Sequence, residues 1–287
     1  MLREHLFLVF KYCCKKFEGS GITKYRIIGS AYTKVFRDLR QNGISLEKVG
    51  KHSMYLDLND VTCMRMAMFD FEPTTSQTLK KILKPGMTFL DIGAHVGYFA
   101  LEASELVGGS GRIYAFEPEE KNFMLLRRNA DINQYKNIVP NNLAASNKNR
   151  NLKIFLSEDS GRHTTKKNLI FRYKTVKTIK AITIDYFCSK NKIRNVDAIK
   201  LDVEGGEPEA LDGMKNTIRK NKNLKMIVEY SPENFSANGD TPGKFMGRLA
   251  SLGFRKFFLL DKNEIKETDA NKILELKKGV YNILAEK

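Results

Sequence analysis

The chain has 287 residues, 42% hydrophobic and 29% charged, with 49 Lys and Arg against 33 Asp and Glu and a formal charge of +16. Those proportions place it among globular proteins and exclude disordered and fibrous classes, at a length suited to one large α/β domain or one domain with a small extension. Cys13, Cys14, Cys63 and Cys188 make no metal-ligand spacing, which points to a reducing, cytoplasmic setting, and no apolar run approaches the roughly 20 residues that cross a bilayer.

From Met1 to about Gly50 the sequence reads as helical. LFLVFKYCCKKF puts Leu6, Phe10, Cys13 and Phe17 at spacings of three and four. Lys11, Lys15 and Lys16 beside those aromatics allow a membrane-surface helix. A helix packed on the main domain is the preferred reading, because most surface helices meet a core through such a stripe. SMYLDLND and VTCMRMAMFD both alternate apolar and polar residues around Asn59 and Asp60, which predicts a β-hairpin. Residues 1–65 are therefore expected to form a helical and hairpin extension, and residues 66–287 the main domain.

FEPTTSQTLKKILKPG offers Thr74 or Thr75 as a helix N-cap and Pro85-Gly86 as a stop. Strands and helices then alternate. MTFLDIG, GRIYAFEP, VDAIKLDVEG, LKMIVEYSP, FRKFFLLD and GVYNILAE read as strands. VGYFALEASELVG, EEKNFMLLRRNADIN, PEALDGMKNTIRKN and TPGKFMGRLASLG read as helices, and IVPNNLAAS and NLKIFLSE as short extended pieces. That rhythm requires crossover connections, hence a doubly wound, mostly parallel sheet with helices on both faces.

Ligands of such sheets bind beyond the carboxyl ends of the strands, where FLDIGAHVGYF lies. Its spacing is Gly93-x-x-x-Gly97, without the middle glycine that lets a pyrophosphate approach a helix N-terminus. Asp91 before the turn disfavours a diphosphate and suits a cation. About twenty residues beyond Gly97, Glu117 stands where a carboxylate accepts hydrogen bonds from ribose hydroxyls. A nucleoside with a cationic, phosphate-free tail fits, and S-adenosylmethionine answers that description.

FLDIGAHVGYF, YAFEPEEKNFMLLRRN, AITIDYF, DAIKLDVEGGEPEALDG and IVEYSP, from about Phe71 to Glu233, resemble the ordered motifs of the FkbM family of S-adenosylmethionine-dependent methyltransferases. The resemblance implies a Rossmann-like, seven-stranded class I methyltransferase sheet with its last strand antiparallel, and O-methylation of a hydroxyl on a sugar, glycan or secondary metabolite. It implies that Asp91, Gly93 and Gly97 form the cofactor turn and that Glu117 binds ribose. Pro118 would lie against adenine, which residues from Asn142 to Ala144 would recognise. Asp202 and Glu204 would stand by the methyl group. His95 departs from the Asn common at its position.

A hydroxyl acceptor must lose a proton, and Asp202, Glu204, His163 and Glu229 are the candidate bases. Asp202 and Glu204 could instead hold the cofactor's amino group or a divalent metal; no metal is assigned. Asp185 is expected to cap the helix that follows it. Ten basic residues between Asn147 and Ala181, against Glu158 and Asp159, leave RNA methylation as an alternative. A catalytically inert nucleoside-binding or scaffold domain is the other.

Overall fold

The computed structural model describes residues 43–166, 173–237, 239–261 and 264–287. The expected amino-terminal helix, with Leu6, Phe10, Cys13 and Phe17, lies outside them. Two compact units divide between Phe71 and Glu72. Cys63 and Cys188 are free thiols, and no described helix is long and apolar enough to cross a membrane.

In the first unit, β1 (Ile44–Val49) pairs antiparallel with β2 (His52–Asp57). The helical expectation therefore fails from Gly43 onward. The hairpin forms one element earlier than the sequence suggests, because VTCMRMAM is helix α1 (Val61–Met68). Its apolar residues fit either period, and the Asp60 carboxylate decides by accepting the Cys63 amide at 2.9 Å as an N-cap.

The second unit opens with α2 (Pro73–Ile82), whose N-cap is Glu72 in a left-handed conformation. Pro73, pre-set for the first helical position, starts it before Thr74 or Thr75 can cap. Then follow β3 (Thr88–Ile92), α3 (Tyr98–Val107), β4 (Arg112–Phe116), α4 (Glu120–Ile132), β5 (Ile138–Asn141) and β6 (Ala144–Ala145). Next come β7 (Arg150–Ser157), β8 (Tyr173–Ile182), α5 (Ile184–Lys190), β9 (Ala198–Leu201), α6 (Glu207–Asp212), α7 (Lys215–Lys220) and β10 (Lys225–Tyr230). The chain closes with α8 (Pro232–Ala237), α9 (Pro242–Ser251), β11 (Lys256–Asp261), β12 (Glu264–Thr268), α10 (Ala270–Glu275) and β13 (Tyr281–Glu286).

The main sheet runs β12-β11-β13-β10-β9-β3-β4-β5. From β10 to β5 every neighbour is parallel, and β13 inserts antiparallel between β10 and β11. The seven expected strands are present, and a hairpin partner of β11, β12, adds an eighth at the edge. Alternation along the strands sends Leu90, Ile92, Ile199, Leu201, Met226 and Val228 into one core with residues of α5 to α10. The opposite face packs α3 against β3 and β4, and α4 against β5. Helices on both faces make the fold a doubly wound α/β sheet.

A separate three-stranded sheet, β6-β8-β7, stands beside it. Strand β8 lies in the lysine-rich stretch, where TVKTIKAI supplies five β-branched residues, Thr175, Val176, Thr178, Ile179 and Ile182. Thr183, not Asp185, caps α5. The Asp185 carboxylate instead accepts the Asn216 and Thr217 amides at 3.0 and 2.7 Å and the Thr217 hydroxyl at 2.7 Å, ordering the start of α7. Asp185→Ala is expected to cost about 1–2 kcal/mol, seen as a melting temperature lower by roughly 3–6 °C. An unchanged melt would deny that bond set a stabilising role.

Candidate active site

The site is built where the parallel strands end. After Ile92 the Gly93 and Ala94 amides both donate to the Phe116 carbonyl, at 3.0 and 2.9 Å, tying the turn to the end of β4. Gly93 has φ +87°, and a Cβ there would stand 1.7 Å from the Asp202 carbonyl oxygen. The turn thus lies against the end of β9 with no space for a side chain. Gly97, at φ +94°, would put a Cβ 2.6 Å from Leu126 Cδ1, so its closeness is to α4 rather than to the strand.

Glu117 follows β4, 6% exposed. One carboxylate oxygen accepts the His95 amide and the other the Glu119 amide, both at 2.9 Å. The carboxylate is held in one orientation as a result. Burial, reinforced by the Glu119 charge, pushes its pKa up to about 8 despite those amides. Asn142 donates to the Glu117 and Pro118 carbonyls at 2.9 and 3.1 Å. That bond set shapes the segment that carries the acid.

Parity along the strands gathers the charged residues. Asp91 pairs in register with Lys200, and both take the face opposite the Leu90–Ile199 core. Lys200 Nζ meets Asp202 Oδ2 at 2.6 Å and lies 4.7 Å from the centre of the Phe99 ring. Burial disfavours that ammonium, but Asp202, Glu72 and Asp91 hold its pKa above the ordinary lysine range. Burial likewise opposes the charge of Asp202, and the Lys200 ammonium keeps its carboxyl below the usual carboxylate range. Asp91, 1% exposed and with neither carboxylate oxygen in a hydrogen bond, is pushed to about 6, by burial first and Asp202 second, against the pull of Lys200.

Glu204 and Glu229 complete the group. Burial, then Asp202 and Glu207, raises Glu204 well above the carboxylate range, and burial, then Glu204 and Asp202, does the same for Glu229. Glu207, the first residue of α6, accepts the Val203 and Gly205 amides at 2.9 and 3.2 Å. It holds the turn in which Glu204 takes a left-handed φ of 54°.

These strand ends border an open cleft, about 630 Å³ when the space continuous with solvent is included. Of the residues singled out by sequence, Gly93, Glu117, Pro118, Ala144, His163, Asp202 and Glu204 line it. Asp91, Gly97, Asn142 and Glu229 do not. Asp91 stands beside Lys200, Gly97 packs on Leu126, and Asn142 supports the Glu117 segment. His163 reaches the wall with Nδ1 accepting the Ser157 amide at 3.2 Å, which occupies the lone pair that nitrogen would use as a base.

Sequence reasoning missed Lys200, Ile154, Ser160 and Thr165. Lys200 was detectable as the one cation in an otherwise apolar strand, AIKL, two residues before an acid. Ile154, on β7, supplies an apolar wall, and Ser160, Gly161, His163 and Thr165 of the following loop line the cleft beside it. The loop is tied down on two sides. Ser160 Oγ lies 2.5 Å from His95 Nε2, and Thr164 Oγ1 donates to the Glu204 carbonyl at 2.6 Å.

Residues 91–256 match the model of the methyltransferase FkbM domain, more than half of the chain. The chain belongs to the FkbM methyltransferase-domain family. A curated relative from Saccharolobus solfataricus, "Probable cobalt-precorrin-6B C(15)-methyltransferase (decarboxylating)", is 51% identical over 49 residues. That match takes in 17% of this chain and 25% of the relative's length. Among solved structures, an Aquifex aeolicus SAM-dependent methyltransferase is 15% identical at a TM-score of 0.43, covering 73% of this chain and 87% of that one. M. jannaschii TYW2 in complex with AdoMet is 11% identical at 0.45, covering 86% of each. Aeropyrum pernix fibrillarin, with natively bound S-adenosyl-L-methionine, is 16% identical at 0.41, covering 74% of each. Family membership rests on the domain match, and S-adenosylmethionine is the cofactor of this methyltransferase domain.

The residues fit that cofactor. An oriented acid stands ready for a ribose, Pro118, Leu143 and Ala144 offer apolar contact for a base, and the acids beyond Gly93 suit a cationic tail.

Proposed function

We propose that the protein transfers a methyl group from S-adenosylmethionine to a hydroxyl of a small molecule or glycan, such as a sugar or secondary metabolite. The observation that carries the reading is one cleft with an oriented ribose acid, Glu117, and an acidic motif, Asp202 and Glu204, both in its wall. The cofactor supplies an electrophilic methyl on a sulfonium. Glu117, Pro118, Leu143 and Ala144 would hold the nucleoside, and the negative charge around Asp202 would favour the cationic tail. Ile154 and the loop from Ser160 to Thr165 exclude water and align the acceptor, which supplies much of the rate in an in-line displacement.

The acceptor oxygen must give up its proton as the new bond forms. Asp202 is a poor recipient, because Lys200 stabilises its ionised form. Glu204 lines the same cleft and, in its ionised form, takes up a proton more readily than Asp202, so it is assigned the role of base.

Methylation of RNA is the second reading, favoured by the exposed Lys174, Lys177 and Lys180 on β8. Part of that charge is already used, since Lys177 pairs with Glu119 at 2.9 Å, Arg150 with Glu209 at 3.3 Å, and Lys166 with Glu209. An RNA acceptor would show affinity that falls steeply with salt.

Incubation with labelled cofactor and pools of metabolites, glycans and RNA, followed by mass spectrometry, tests activity and identifies the acceptor. Glu204→Gln is expected to lower kcat by roughly a hundredfold or more while cofactor binding persists. Label in no pool, with the cofactor still bound, would replace catalysis by the inert nucleoside-binding reading.

A further inference from the structure

Three carboxylates from different elements converge at the cleft, two of them, Asp202 and Glu204, in its wall and the third, Glu229, buried behind it. Asp202 follows β9, Glu204 lies in the turn before α6, and Glu229 is the penultimate residue of β10. One oxygen of each lies within 4.8 Å of the other two. Acids on separate elements gain nothing from such convergence unless a cation or shared protons occupy the space between them.

Glu229 bears on both cases. It is 5% exposed, its carboxyl is hydrogen-bonded to that of Asp202, and its buried Oε1 has no N–H or O–H donor. A buried carboxylate oxygen left bare costs free energy that a bound ligand would return. The Lys200 ammonium does not meet this need. It bonds Asp202 Oδ2 at 2.6 Å from beneath, over the Phe99 ring, and is itself buried. Asp202 and Glu204, in contrast, both face the open cleft, so an ion can enter from solvent.

We propose that Asp202, Glu204 and Glu229 form a binding site for a hard divalent cation of the Mg²⁺ or Mn²⁺ class. Oxygen-only donors of this charge select such ions over zinc or copper, which prefer nitrogen and sulfur. Cis ligands of an octahedral ion lie about 3 Å apart, so small side-chain rotations bring the three oxygens inward. An ion held by one oxygen from each acid keeps three positions for water or for oxygens of the acceptor. Placed there, it would fix the acceptor hydroxyl beside Glu204 and ease loss of its proton. That role rests on the hydroxyl-methylation reading, whereas the binding site stands on the three acids alone.

The test is a titration of the full chain with MnCl₂, followed by electron paramagnetic resonance, without cofactor or acceptor. One saturable site is expected, with affinity in the micromolar to low-millimolar range. Glu229→Gln, nearly isosteric, should weaken it at least about tenfold, and Glu204→Gln should do likewise, while Glu158→Gln on the surface should not. Retained melting temperature and cofactor binding in Glu229→Gln exclude misfolding as the cause. No saturable Mn²⁺ binding in the wild type, or equal binding in Glu229→Gln, would overturn the proposal. Because cofactor affinity is read separately, its loss would count against the methyltransferase site and leave the ion site standing.

Discussion

Glu117→Ala is expected to weaken S-adenosylmethionine binding by about a hundredfold, from two lost hydrogen bonds to a charged acceptor at roughly 1.5 kcal/mol each. The His95 and Glu119 amides fix the carboxylate before any ligand arrives, so little ordering is required on binding. Alanine also strands those two donors, and a lower melting temperature should accompany the loss of affinity. Calorimetry on the purified chain decides the matter, and undiminished binding would remove Glu117 from the site.

The same residue carries a pH signature. Its folded pKa of about 8 lies above the ordinary 4.5, so the empty protein holds a proton there that the unfolded chain releases. Its contribution to stability is therefore complete below pH 4.5 and is lost as pH rises from there through about 8. Ribose hydroxyls donate to the ionised carboxylate, so binding expels that proton, and affinity should rise with pH by up to about tenfold per unit until pH 8. In Glu117→Gln the slope should vanish. An identical slope in both proteins would assign the proton to another group.

The second large effect belongs to Gly93→Ala, which should destabilise the larger unit by roughly 2–5 kcal/mol. About 1–2 kcal/mol comes from forcing a Cβ into a left-handed conformation, and about 1–3 kcal/mol from displacing packed neighbours. At 1.7 Å from the Asp202 carbonyl the added carbon cannot stay, and the obstacle is backbone, which does not swing aside. The end of β9 must move, carrying Asp202 and Glu204 with it. Thermal melts should fall by roughly 5–15 °C, with Gly109→Ala, whose Cβ meets nothing within 4 Å, as the unaffected control. A melt within 2 °C of the wild type, by an order-of-magnitude threshold, would show that the turn has slack.

Much of this site was legible in one dimension. The alternation of strands and helices, the glycine turn after Asp91, the acid at 117 and the DVEG segment are local patterns, and short-range backbone rules suffice to place them at strand ends. Reading failed where two periods fit one stretch. CMRMAM alternates and also repeats at helical spacing, and only the Asp60 cap resolved it into α1. Asp185 misled for a related reason. A carboxylate near a helix start is a capping signal in sequence, yet this one caps α7, more than 30 residues further on.

By itself the sequence determined that this chain carries an α/β methyltransferase domain with a glycine turn at residues 93–97 beyond a strand end, because those features depend on residue type and spacing along the chain. Tertiary structure alone decided which acids meet. Strand order sets β9 between β3 and β10, and parity turns Asp91, Lys200 and Glu229 to one face. Residues 138 positions apart in sequence, Asp91 and Glu229, thereby come to feel the charge of one acid, Asp202. Coulomb forces act through space and not along the chain, so their consequence, an acid cluster poised for a cation, appears only once the sheet is assembled.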